Sequence, residues 1–123
     1  MTPRGRNGQI NFHKGLLAED QVEAAYRRNG FDVVDRRWKV AEGEIDLVAR
    51  HGGKYYFVEV KSSRTHERAA EQITPRQQRR IRRAALRYLA EKAQRIDVDC
   101  RFDAALVDAH GRLKVLPNAF IFD

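Results

Sequence analysis

The segment GEIDLVARHGGKYYFVEVK, residues 43–61, contains the strongest structural pattern in the chain. Polar and apolar residues alternate over 44–50, and residues 54–61 are rich in aromatic and β-branched side chains, so each part is predicted to form a strand. Gly52 and Gly53 lie between the two parts and predict a tight turn. We therefore expect a β-hairpin whose two strands are neighbours in a sheet.

A hairpin that is symmetric about this turn pairs residues whose numbers have the same sum. Asp46 then lies opposite Glu59, and Glu44 lies opposite Lys61. Alternate residues share one face of a strand, so these four side chains are expected on one surface, with the Cβ atoms of facing pairs about 5 Å apart. A register shift of one residue would put Asp46 and Glu59 on opposite faces.

Two carboxylates held this close repel each other unless a proton or a cation lies between them. Hard oxygen ligands with room for water suit Mg²⁺ or Mn²⁺, which also bind phosphate oxygens. Lys61 could orient or deprotonate an attacking water and stabilise a pentavalent oxyanion. The pattern therefore indicates a metal-dependent nuclease site. The alternative is a solvent-facing hairpin with an ordinary Glu44–Lys61 pair and an exposed Asp46.

Composition narrows the class of protein. A chain of 123 residues with 42% hydrophobic content is long enough for one compact domain, expected over residues 15–123. A net charge of +7 favours a polyanionic partner, nucleic acid ahead of a membrane surface. Residues 1–14 are expected to be a flexible basic arm or simply a disordered terminus. Without a membrane span or signal-peptide core, the expected location is the cytoplasm.

A first helix is predicted from Leu16 to Asn29, with Gly30 as its stop. Its apolar stripe comprises Ala18, Val22, Ala25 and Tyr26. Glu19 lies beside that stripe, where burying an unpaired carboxylate is costly. Glu19 could therefore be a third acid of the metal site or an acceptor for its ligand shell. It could equally be a boundary residue paired with a nearby arginine.

A second helix is predicted to begin with Thr74 as its N-cap and Pro75 in its first turn, and to end near Ala93. Gln77 would complete a capping box, and it could also reach the site or a bound phosphate. An arginine stripe without compensating acids predicts contact with phosphates along this helix. The stripe comprises Arg76, Arg79, Arg80, Arg83 and Arg87.

Further strands are predicted over residues 31–40, 101–107 and 112–116, which gives the order α-β-β-β-α-β-β. Residues 62–73 are expected to be a loop beside the site, where Arg64 could contact a phosphate backbone. Helices should cover a mixed sheet, so the fold class is α/β in the broad sense.

This element order and the hairpin motif resemble the PD-(D/E)xK nuclease superfamily, whose restriction-endonuclease-like core is α-β-β-β-α-β with acids on the second and third strands. Within it, the chain is similar to the bacterial YraN family, described as predicted endonucleases related to archaeal Holliday junction resolvases. The matching motifs are residues 18–20, 43–47, 57–61, 74–76, 101–103 and 118–120. They span nearly the whole chain after residue 14.

The resemblance implies roles for particular residues. Asp46 and Glu59 match the metal ligands, and Glu19 matches the helix acid. Lys61 matches the catalytic lysine, while Glu44 belongs to the family signature with its role left open.

The resemblance also implies an endonuclease that uses Mg²⁺ or Mn²⁺ and acts on DNA in preference to RNA, with branched or structured DNA as a substrate class. Two symmetric cuts in a four-way junction would need a homodimer. The chain departs from the family at Gln77, where lysine is frequent, and in the segment after Lys61, which contains an extra serine before Arg64. The alternative is a non-catalytic nucleic-acid-binding module that assists a DNA repair or uptake complex.

Overall fold

The computed structural model describes residues 3–95 and 98–120, and for residues 3–14 it describes the backbone alone. The helices are α1 (Pro3–Arg28), α2 (His66–Glu71) and α3 (Pro75–Tyr88), and a π-helical turn (Leu89–Ala93) continues α3. The strands are β1 (Asp32–Val40), β2 (Gly43–His51), β3 (Lys54–Ser62), β4 (Cys100–Val107) and β5 (Leu113–Leu116). This order confirms the predicted α/β class.

The five strands form one mixed sheet in the order β1-β2-β3-β4-β5. Strands β3 and β4 are parallel, and the other neighbours are antiparallel. Helix α1 packs on one face, where Val22 and Tyr26 join the core cluster of Leu47. Helix α3 packs on the opposite face, where Tyr88 joins the cluster of Phe57. The sheet is therefore flanked by helices on both faces, as predicted.

The β2–β3 hairpin has the predicted turn and register. Gly52 and Gly53 have φ values of 57° and 77°, the left-handed conformation that a tight hairpin turn requires and that glycine adopts without strain. The ladder pairs Leu47 with Val58. This pairing has the number sum expected for a hairpin that is symmetric about the two glycines.

Helix α1 begins earlier than predicted, at Pro3 and not at Leu16. The prediction relied on apolar periodicity, which residues 3–14 lack. Glycines within this segment weaken a helix by about 1 kcal/mol each relative to alanine but do not stop it. Gly30, with φ of 86°, follows the helix end as predicted. The flexibility expected of residues 1–14 stays a prediction, and Met1 and Thr2 lie outside the described residues.

The segment predicted to be a loop contains a short helix, α2. Thr65 caps this helix, because its side-chain oxygen accepts a hydrogen bond from the backbone N–H of Arg68 at 3.1 Å. Ala69 is fully buried against the sheet. The loop prediction was wrong because a helix of so few residues offers local capping signals but almost no periodicity.

Helix α3 begins as predicted, with the Thr74 side chain accepting a hydrogen bond from the backbone N–H of Gln77 at 3.1 Å. The second bond of the capping box is not formed, since Gln77 Oε1 is buried without a hydrogen-bond partner. The α-helix ends at Tyr88, and the π-helical turn extends to Ala93, near the predicted end. Within the described part of the chain, no helix is long and apolar enough to cross a membrane.

Candidate functional site

A cleft of about 550 Å³ opens between the β1–β2 turn, the end of β3 and the start of α3. We call it the acidic cleft, and its polar lining includes Glu44, Asp46, Glu59, Lys61, Gln77 and Arg80. The structure therefore brings together the four hairpin residues that were expected on one surface. It does not fit a solvent-facing hairpin, because Glu59 is 5% exposed.

The hairpin register explains why Asp46 meets Glu59. The ladder ends with the pair Leu47–Val58, so Asp46 and Glu59 are the next facing positions. Asp46 Oδ2 accepts a hydrogen bond from the backbone N–H of Val60 at 2.8 Å. The Asp46 carboxyl group also forms a side-chain hydrogen bond with Glu59. The two carboxyl groups are thus in direct contact.

The alternation of strand β2 is interrupted at Ile45. Ile45 packs in the cluster on the α3 side, whereas Leu47 packs in the cluster on the α1 side. The position on β1 that faces Asp46 is Arg37, whose φ of 53° lies in the left-handed region. Val48 also packs on the α3 side, so Asp46 keeps the alternation of the strand, and the departure from simple alternation lies at Ile45. A local distortion shared by two strands contributes to it.

Burial raises the pKa of Glu59 well above neutrality, and the hydrogen bond and charge of Asp46 raise it further. The charge of Lys61 acts in the opposite direction. At neutral pH, the carboxyl group of Glu59 therefore carries a proton that satisfies its contact with Asp46. A divalent cation could take the place of this proton, because either one supplies positive charge between the two acids.

The donor set suits an open site for a small hard cation. Mg²⁺ is usually held by one or two carboxylates together with water and substrate phosphates. Asp46 and Glu59 supply two carboxylates at the wall of an open cleft. Among the side chains that the structure describes, in residues 15–95 and 98–120, no group of three His, Cys, Asp or Glu is arranged to hold a metal ion. Two carboxylates in an open cleft suit an ion whose remaining ligands are water and phosphate oxygens.

Glu19, which the family resemblance matches to a helix acid, lies against two arginines of β1. Its carboxylate accepts hydrogen bonds from Arg37 Nε at 2.8 Å and from Arg36 Nε at 3.3 Å. Glu19 is 7% exposed, so these pairs neutralise a buried charge. This placement matches the arginine-paired alternative from the sequence.

Arg37 connects Glu19 to the acidic cleft, and sequence reasoning missed it. The hydrogen bond with Glu19 is the main cause that raises the pKa of Arg37, and the charges of Glu44 and Asp46 add to it. Arg37 thus lies between the helix acid and the cleft acids. Its left-handed backbone has no sequence signal, because arginine is not a residue that favours this region.

The arginines of α3 divide into two groups. We call a cleft of about 470 Å³ the arginine cleft; its lining contains Ala41, Glu42, Arg76, Arg79, Arg80 and Arg83. Arg87 lies apart from it and forms salt bridges with Glu42 at 3.1 Å and with Glu91 at 2.8 Å. The prediction of a stripe without compensating acids was therefore wrong at Arg87. The other four predicted arginines share one concave surface.

A third cleft, of about 700 Å³, lies on the α1 side of the sheet. We call it the α1 cleft, and its lining includes Leu17, Gln21, Lys61, Ser63, Arg64 and Asp108. Arg64 is thus placed beside the site, as the sequence suggested, but in a different cleft from the α3 arginines. Lys61 lines both the α1 cleft and the acidic cleft.

Gln77 projects a buried polar atom at the acidic cleft. Its Oε1 atom has no hydrogen-bond partner, although a buried amide oxygen normally has one. The residue lines the cleft together with Lys61 and Glu59. Gln77 is therefore suited to accept a hydrogen bond from a molecule that enters the cleft.

These observations define the chain as an α/β protein with a helix-flanked mixed sheet and a polar cleft at the end of its central hairpin. The profile of the "Uncharacterised protein family UPF0102" matches residues 18–107. The chain belongs to this family, which confirms the resemblance to YraN-type proteins.

Similar proteins occur in several bacteria. A UPF0102 protein of Ruegeria pomeroyi is 47% identical over 113 residues, which cover 92% of this chain and 92% of the relative. A UPF0102 protein of Cereibacter sphaeroides is 44% identical over 114 residues, covering 93% of this chain and 97% of the relative. A UPF0102 protein of Azorhizobium caulinodans is 39% identical over 119 residues, covering 97% and 91%. The chain therefore corresponds to nearly the whole length of these relatives.

Proposed function

We propose that the protein is a metal-dependent endonuclease that hydrolyses phosphodiester bonds of DNA, with branched or structured DNA as its substrate. The observation that carries this proposal is the buried contact between Asp46 and Glu59 in a cleft that also contains Lys61. A cleft lined by four arginines adjoins it and shares Arg80 with it. Acids in a cleft beside a phosphate-binding surface are difficult to explain unless a cation binds there.

The two carboxyl groups are unfavourable as a purely structural feature. A fold gains nothing from burying Glu59 against the half-buried Asp46, because the buried acid loses its hydration and must take up a proton. Asp46 and Glu59 would hold Mg²⁺ or Mn²⁺, and the bound ion would supply positive charge that offsets the charge developing on the phosphoryl group. The stability cost of the acid pair then has a functional explanation.

The other cleft residues have roles that follow from their chemistry. The Lys61 ammonium group would orient an attacking water and stabilise the oxyanion, since Lys61 lines the cleft and its charge acts on Glu59. Arg79 and Arg80 would hold phosphates of the substrate backbone. The unpartnered Oε1 of Gln77 would accept a hydrogen bond from the water or from the nucleotide.

A non-catalytic nucleic-acid-binding module is the second candidate. The observation in its favour is the lack, among the described side chains of residues 15–95 and 98–120, of a three-residue metal site. For both candidates, the proposed partner is DNA ahead of RNA and the proposed location is the cytoplasm. For the nuclease, a homodimer would allow paired cuts in a four-way junction.

The test is cleavage of labelled four-way-junction, flap, single-stranded and linear duplex DNA in Mg²⁺ or Mn²⁺. The intact protein is compared with Glu59→Gln, which keeps the side-chain shape, and with Glu67→Gln, a control at an exposed acid of α2. We expect cutting by the intact protein and the control, and a loss of at least about a hundredfold in Glu59→Gln. Binding without cutting by all three proteins would favour the non-catalytic module.

A further inference from the structure

The three clefts adjoin one another through shared lining residues. The arginine cleft and the acidic cleft share Ala41 and Arg80, and the acidic cleft and the α1 cleft share Lys61. The contact between Asp46 and Glu59 therefore lies between two flanking surfaces. A polynucleotide whose scissile phosphate reaches these acids would extend into both.

The two flanking clefts differ in charge. The arginine cleft presents four arginines and one acid, Glu42. In the lining of the α1 cleft, the cations are Lys61 and Arg64, accompanied by the acid Asp108. Asp108 is engaged within its own turn, because Oδ1 accepts hydrogen bonds from the backbone N–H groups of residues 110 and 112, both at 2.9 Å. Among the described side chains, the α1 cleft thus has a much lower density of positive charge than the arginine cleft.

Neutral groups make up most of the remaining lining of the α1 cleft. Leu17 is 66% exposed there, and amide and hydroxyl side chains lie around it, namely those of Gln21, Ser62, Ser63 and Gln72. An exposed apolar side chain can contact the face of an unstacked base, and the amides and hydroxyls can pair with base edges. Base faces are accessible in single strands and are hidden in a stacked duplex.

The walls of the α1 cleft are held in place by hydrogen bonds between its elements. Gln21 Nε2 on α1 donates to the carbonyl oxygen of Gly111 in the β4–β5 turn at 2.7 Å. The backbone N–H of Ser63 donates to the carbonyl oxygen of Val107 at 3.1 Å, and the backbone N–H of Ala109 donates to the carbonyl oxygen of Arg64 at 3.2 Å. The cleft is therefore formed before any ligand binds, which lowers the ordering cost of binding.

We propose that the α1 cleft binds unpaired nucleotides on one side of the scissile phosphate, while the arginine cleft binds duplex backbone on the other side. This inference rests on the proposed function and specifies its substrate: a polynucleotide at a boundary between duplex and single strand. Dense positive charge matches the two phosphate backbones of a duplex. An apolar side chain among neutral hydrogen-bonding groups matches exposed bases.

The test uses the full chain and three fluorescent probes: a blunt duplex, the same duplex with a single-stranded tail, and the single strand alone. The variant is Leu17→Ala with Arg64→Ala, two exposed positions. Lys92→Ala is the charge-matched control at an exposed position of the π-helical turn, and Arg79→Ala probes the arginine cleft. Dissociation constants are measured by fluorescence anisotropy in EDTA, so that no probe is cut.

We expect the intact protein to bind the tailed duplex more tightly than the blunt duplex. The Leu17→Ala, Arg64→Ala variant should weaken binding of the tailed duplex about five- to tenfold, with the blunt duplex changed less than about twofold. Arg79→Ala should weaken both, and Lys92→Ala neither. Equal weakening of both duplexes by the double variant, or weakening of neither, would overturn the assignment.

The readout separates this inference from the proposed function. A protein that shows the tail-specific effect but cuts no substrate would refute the nuclease and leave the assignment of the α1 cleft intact. A protein that cuts but shows no tail-specific effect would support the nuclease and refute the assignment of the α1 cleft. A protein that binds none of the three probes would overturn both.

Discussion

Replacing Glu59 by glutamine should stabilise the protein at neutral pH, although it removes a residue of the proposed site. Folding buries Glu59, which is 5% exposed as a residue, against Asp46, and this raises the pKa of its carboxyl group well above neutrality. At pH 7 the unfolded chain must therefore take up a proton when it folds. Glutamine keeps the shape of the protonated acid and can donate a hydrogen bond to Asp46 without proton uptake.

The magnitude depends only on the pKa of Glu59 in the unfolded chain, as long as the folded value lies above 7. With the ordinary value of 4.5, the cost is 1.36 kcal/mol for each of the roughly 2.5 pH units up to pH 7, about 3 kcal/mol. A raised pKa gives stability that is fully present below the unfolded pKa and is lost as pH rises. The advantage of Glu59→Gln should therefore vanish near pH 4 and grow by about 1.4 kcal/mol per pH unit up to neutrality.

The assay is urea unfolding in EDTA at a series of pH values, monitored by the fluorescence of Trp38. This is the only tryptophan in the chain, and it packs against Tyr88 with a ring-centroid distance of 5.0 Å. The control, Glu67→Gln, replaces an exposed acid on α2 and should leave the free energy of unfolding nearly unchanged at every pH. A Glu59→Gln protein that is less stable than the intact protein at pH 7, or a stability difference that does not change with pH, would refute the reasoning.

Substitutions at three further positions test other features of the structure. Arg37→Gly should be more stable than Arg37→Ala by about 1 kcal/mol in urea unfolding, because φ of 53° favours glycine; equal stabilities would contradict the strain. Thr74→Ala should lower the free energy of unfolding by about 1 kcal/mol through loss of the α3 cap, and an unchanged value would argue against the cap. Asp103→Ala should cost at least about 3 kcal/mol, because it leaves Tyr26 and Arg101 without their buried partner; a thermal unfolding midpoint close to that of the intact protein would contradict this.

The hairpin was predictable because its determinants are local. Gly52 and Gly53 favour one turn geometry, and that turn fixes the pairing along both strands. The meeting of Asp46 with Glu59 follows from the register and is seen in the structure. The break in alternation at Ile45 could not be predicted, since the distortion on the neighbouring strand occurs at an arginine, Arg37, with no glycine or asparagine to mark it.

The partners of charged side chains were less accessible from the sequence. Periodicity placed Glu19 at the buried edge of α1, but its pairing with β1 depends on how a helix crosses a strand. Arg87 has one partner that was visible in the sequence and one that was not. Its partner Glu91 lies four residues later on the same helix and was visible in the sequence. Its second partner, Glu42, comes from the β1–β2 turn and is brought near only by the tertiary fold.

The residues between β3 and α3 show the limit of pattern reasoning in another way. Helix α2 has a threonine cap and a single fully buried residue, Ala69, so its sequence contains no repeat that separates it from a loop. This error affects the α1 cleft, because α2 follows directly on the segment that contains the cleft residues Ser63 and Arg64. A loop and a capped helix would position those residues differently.

The most informative measurement is a calorimetric titration of the intact protein and of Glu59→Gln with Mn²⁺ at pH 7, repeated in two buffers that differ in their heat of protonation. If a cation replaces the proton between Asp46 and Glu59, the intact protein should bind Mn²⁺ and release about one proton per ion bound, and Glu59→Gln should bind far more weakly and release none. Identical titrations of the two proteins, or no binding by the intact protein, would contradict a metal site at this pair of acids.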